Sequence, residues 1–93
     1  MVSFQASAYI QKVAQSLSIA LGEGTISKAT MRADITATGP YTATYYLSAD
    51  GGSNWEEVTL GTEHTFTNTG TDCRWKVVGS GPFQITKITV DYS

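Results

Sequence analysis

A single cysteine, Cys73, stands in 93 residues, so no intrachain disulfide can staple the fold. Charge is almost as scarce: six Lys or Arg stand against eight Asp or Glu, 15% of the chain, for a formal net charge of −2. Without a basic patch there is no electrostatic footprint for a phosphate backbone, and no nucleic-acid partner is expected. No apolar run approaches the roughly 18 residues that cross a bilayer as a helix. The first residues also lack the basic start and long apolar stretch of a secretory signal, so a soluble chain with no membrane partner is expected. A chain this short forms one domain and buries only about 60% of the surface it exposes when unfolded, which predicts a thin core.

Hydroxyl residues take the place of charge. Fourteen Thr and nine Ser make up 23 of the 93 residues and are interleaved with Val, Ile, Tyr and Trp. β-Branched and aromatic side chains suit a pleated, half-buried surface, and Thr supplies a solvent face that needs no charge. From Lys28 to Thr38, Ala29, Met31, Ala33, Ile35 and Ala37 alternate with polar neighbours, the clearest strand signal in the chain. After Gly39-Pro40 the alternation resumes through Tyr41, Ala43, Tyr45 and Leu47, and again through Cys73, Trp75 and Val77. In the last segment Phe83 and Ile85 share one parity and Ile88, Val90 and Tyr92 the other, so a β-bulge is expected near Thr86-Lys87. Short strands are read over Ser16 to Leu21, Trp55 to Leu60 and Glu63 to Thr67, with Gly22-Glu23-Gly24 as a turn.

About seven strands with turn signals every 8 to 12 residues predict an all-β fold, an antiparallel β-sandwich of jelly-roll type over residues 16–93. Residues 1–15 fit a helix almost as well as a strand and are read as an N-terminal arm or edge strand. The apolar and aromatic residues Phe4, Tyr9, Ile10 and Val13 lack an obvious place in the core and are candidates for contact with a neighbouring subunit.

Residues 48–55, Ser-Ala-Asp-Gly-Gly-Ser-Asn-Trp, resemble the Asp-box pattern Ser-x-Asp-x-Gly-x-x-Trp of sialidase propellers and other β proteins. In such a box Ser48, Asp50, Gly52 and Trp55 form a structural turn: the carboxylate accepts backbone N–H groups, the glycine permits positive φ, and the indole packs beneath. A Ca²⁺ ion would need more oxygen ligands than Asp50 and Asn54 offer, and no zinc spacing is present, so neither metal nor cofactor is expected. No spacing places His64 beside a Ser or Cys nucleophile, and Cys73 has an inward phase. Glu56 and Glu57 are adjacent, hence on opposite faces of a strand, and cannot flank one glycosidic bond together. No catalytic residues are assigned, and the chain is read as a non-enzyme. Among the ten aromatics, Tyr41, Tyr45 and Trp75 fall inward by phase, and Tyr46, Tyr92 and Tyr9 are the candidate exposed rings, with Tyr46 and Tyr92 read as candidate platforms for stacking a sugar.

The run from Tyr45 to Thr59, with His64 to Asp72, Arg74-Trp75-Lys76 and the closing Ile85 to Tyr92, resembles a small β-sandwich module of tailed-phage virion proteins and some secreted bacterial proteins. The resemblance covers about Gly24 to Ser93, and Cys73 stands where related chains carry an aliphatic residue. It implies a non-enzymatic virion protein that decorates or cements a capsid, or sits on a tail. Other capsid or tail subunits would be its partners, and it would act as a homo-oligomer. The alternative is a carbohydrate-binding module that attaches to surface glycans.

Overall fold

The computed structural model describes residues 2–9, 13–15 and 20–93. Its elements are β1 (Val2–Tyr9), β2 (Val13–Gln15), β3 (Ala20–Ala37), β4 (Thr42–Ser48), β5 (Glu56–Val58), β6 (Glu63–Ser80) and β7 (Phe83–Tyr92). The fold is all-β, every ladder between these strands is antiparallel, and no helix occurs among the described residues. Strands are ordered β1-β7-β3-β6-β4-β5, with β2 alongside β6. Phe4 and Tyr9 lie in β1 and Val13 in β2, whereas Ile10 is outside the described residues.

The alternation that marks β3 is a burial pattern. Ala29 and Met31 are buried, Ala33 and Ile35 pack partly against the core, and Lys28, Arg32, Asp34 and Thr36 are exposed. Residues 29–37 pair with β7 in reverse, from Ala29 opposite Tyr92 to Ala37 opposite Phe83. Asp34 faces Lys87 and Ile35 faces Ile85, so Thr86 is the extra residue and the expected phase change is a bulge. The Thr86 hydroxyl donates to the Asp34 carbonyl at 3.2 Å, which fastens the bulge to β3.

Two expected breaks are continuous strand. Gly22-Glu23-Gly24 lies within β3, where the register with β6 shifts between Leu21 and Ile26; the turn residues mark a bulge and not a reversal. The segments expected to end near Thr67 and begin near Asp72 are one 18-residue strand, β6. Its first half pairs with β3, and its second half pairs with β4 on one side and β2 on the other. Trp55 to Leu60 contributes only the three-residue β5.

One apolar cluster joins these ladders, with Met31, Ile85, Ile88 and Val90 from β3 and β7 and with Leu47, Val58, Trp75 and Val77 from β4, β5 and β6. Met31, Leu47, Ile85 and Ile88 are fully buried, and each side chain of this size stabilises the fold by roughly 1.5–3 kcal/mol. Cys73 is also fully buried, and burial, then the neighbouring Asp72 charge, pushes its thiol up to about 12. It is a small apolar filler there, as its phase implies.

Candidate functional site

Polar chemistry concentrates where the Asp-box turn meets β6. Ser48 is buried at the end of β4, and its hydroxyl donates to Asp50 Oδ1 at 2.7 Å while accepting the Gly52 N–H at 2.9 Å. Asp50 accepts the Asn54 backbone N–H on Oδ1 at 2.9 Å and the Asn54 side-chain amide on Oδ2 at 2.7 Å. Burial raises the Asp50 carboxyl, but hydrogen bonds from Asn54, Ser48 and the backbone outweigh it and hold the group below its ordinary value. Gly52 has φ 89°, and a Cβ there would lie 3.3 Å from Trp55 Cζ2, so the indole packs against the glycine backbone. Both oxygens of Asp50 are thereby occupied by the turn itself. Among the described residues no group of three His, Cys, Asp or Glu side chains could hold a metal ion.

The turn is clipped to β6 in turn. Gly51 N–H donates to the Asp72 carbonyl at 2.9 Å, and Asp72 N–H donates to the Ala49 carbonyl at 3.0 Å. Gly70 lies so close to the Ala49 carbonyl and Asp50 Cα that no Cβ fits. The Asp72 carboxylate receives Arg74 through Nε at 3.3 Å and a terminal guanidinium nitrogen at 3.0 Å.

A second clip reaches across from β5. Glu56 Oε1 accepts the Thr67 N–H and His64 Nε2–H, each at 2.9 Å, and Oε2 accepts the Asn68 N–H at 2.9 Å and its side-chain amide at 3.3 Å. Burial pushes this carboxyl up, yet the Thr67 and Asn68 amides, then His64 and the Asn68 side chain, bring it below its ordinary value. His64 also meets Phe66 edge-on, ring centroids 5.1 Å apart. Glu56 thus satisfies two β6 backbone donors, a role its sequence neighbourhood does not announce because its partners lie 11 and 12 residues on. Glu57 is exposed, on the opposite face as its parity requires.

The candidate stacking rings separate. Tyr92 is only 5% exposed, because beyond the Thr86 bulge it shares the inward parity of Ile88 and Val90, with Val2 and Ala29 as its strand neighbours. That burial rules it out as a sugar platform. Tyr46 is half-buried, and the Lys76 ammonium lies 4.9 Å from its ring centroid and 4.6 Å from the Trp55 ring, so one face of Tyr46 is taken. Tyr41 departs from its expected core position: it is 40% exposed, since it precedes the first paired residue of β4, and it stacks on Phe83 at 4.8 Å. Nearby hollows are shallow. One of about 230 Å³ is lined by Thr36, Thr38, Pro82, Phe83 and Gln84. Another of about 150 Å³ lies among Arg32, Ala33, Asp34, Lys87 and Thr89. Both are below the roughly 300 Å³ at which small-molecule sites begin.

The arrangement supplies hydrogen bonds that hold strands together, and it brings none of the sequence-noted His, Cys or Glu groups to an open cleft. Comparison of the chain with protein-family models, with characterised proteins and with solved structures finds no match in any of the three.

Proposed function

We propose that this chain is a non-enzymatic structural protein of a phage virion, a capsid decoration or tail-associated subunit that acts by docking to other subunits. The virion assignment draws on the resemblance over Gly24 to Ser93. The observation that carries the non-enzymatic reading is the engagement of Asp50 within its own turn and of Glu56 and His64 in a clip between β5 and β6, with Cys73 sealed in the core. The finer fold in this proposal is a jelly-roll-like β-sandwich. In support, β6 changes partner from β3 to β4 midway, and a single apolar cluster draws on both sets of strands.

The test is to purify the particle whose genome encodes the chain, detect the protein by mass spectrometry and locate it by cryo-EM. Density for this fold on the capsid or tail is the expected result, and particles free of the protein overturn the proposal. The carbohydrate-binding reading retains one observation, the exposed Tyr41 ring stacked on Phe83. Glycan-array binding that disappears in Tyr41→Ala would favour it over docking.

A further inference from the structure

We propose that the outer edge of β1 pairs with β1 of a second copy of this chain, antiparallel about a twofold axis near Gln5, so that one sheet runs through both protomers. This deepens the docking reading above and rests on it for the expectation that copies associate.

β1 is the terminal strand of the order, with β7 on one side; among the described residues no strand lies on the other. An eight-residue edge presents a row of backbone donors and acceptors ready for another strand. Natural edges are blunted by brevity, charge, proline or an internal cover. Residues 1–11 hold neither a charged residue nor a proline; the first charge is Lys12. β5, at the far end of the order, is blunted in three ways: it has three residues, two are glutamates, and Glu56 is tied to β6.

The strand is also complementary to itself. Its register with β7 sets Val2, Phe4, Ala6 and Ala8 opposite the buried Tyr92, Val90, Ile88 and Ile85, and sets Ser3 and Gln5 opposite Asp91 and Thr89. A twofold perpendicular to the sheet at Gln5 places Phe4 opposite the other copy's Ala6, Ser3 opposite its Ser7 and Val2 opposite its Ala8. Apolar positions meet apolar and polar meet polar, both faces keep their character, and no like charges are opposed.

Light scattering of the full chain over a wide concentration range should show a dimer. Replacing Ser3, Gln5 and Ser7 together by Lys opposes like charges along the pair. Dimerisation should weaken at least tenfold while circular dichroism holds, and the melting temperature should match the wild type at concentrations low enough for both to be monomeric. Under oxidation Gln5→Cys should form a disulfide-linked dimer, with Cys73 inaccessible in the core. A wild-type chain that stays monomeric overturns the pairing, yet leaves docking to other virion proteins to be judged by the particle experiment. An oligomer that is indifferent to the lysines and gives no Gln5→Cys cross-link also overturns it, and places association elsewhere on the protein.

Discussion

At the β5 edge, one carboxylate and one hairpin turn are locked onto β6, whereas β1, eight consecutive uncharged residues, has a strand on one side only among the described residues. The two edges face the same physical problem, unpaired backbone polar groups at the end of an order of strands. At β5 the edge is short and carries two glutamates, and it is tied down by Glu56, which accepts the Thr67 and Asn68 amides of β6, while the Asp-box turn exchanges hydrogen bonds with Asp72. At β1 no such device is present in the sequence. The pairing proposed above would cover the β1 edge that the described residues leave open, and the asymmetry between the two edges is what separates it from docking elsewhere.

The comparison breaks most visibly at Gly70. Gly70→Val drives a side chain into the Ala49 carbonyl and Asp50 backbone, and should cost about 3 kcal/mol or more in urea unfolding. A loss below about 0.5 kcal/mol would mean that the turn does not pack directly on β6. Next comes Glu56→Ala, which strands two amides and His64 and should cost about 2 kcal/mol; the exposed Glu57→Ala serves as the near-neutral control. Glu56 and Asp50 both have carboxyls held below their ordinary values, so their stabilisation is complete above the unfolded-state pKa of about 4 and is lost as pH falls through the folded-state values. Stability measured against pH should therefore decline on the acid side below about 4, less steeply in Glu56→Gln. Asp50→Ala removes the acceptor for Asn54 and should cost about 1 kcal/mol, without changing oligomeric mass. The smallest effect on stability is expected at the open edge, where Gln5→Lys should shift unfolding by no more than about 0.5 kcal/mol while weakening association.

Much of this fold is legible wherever a period of two coincides with burial, as at Ala29 and Met31, at Cys73, Trp75 and Val77, and across the bulge at Thr86. The Asp-box was legible as well, because its partners lie within four residues of one another. What stayed hidden depends on distant chain. Thr67 to Asp72, with Asn68 and Gly70, has the composition of a loop, and it is held as strand by Glu56, Ala49 and Gly51 from another part of the sequence. Gly22 and Gly24 likewise signal a turn but sit in a bulge, since pairing to β6 resumes at Ile26. Tyr92 shows the reverse error: the phase that places Ile88 and Val90 inward also applies to it, and reading the bulge through to the end of the strand assigns its ring to the core.

The difference between the edges is tested most directly by amide hydrogen exchange at low and high protein concentration. The account predicts that Gly52, Asn54, Thr67 and Asn68, whose N–H groups are held within the chain, are equally protected at both. Amides of Val2–Tyr9 should gain protection as concentration rises. Protection of β1 that does not change with concentration, together with fast exchange at the Glu56 clip, would contradict it.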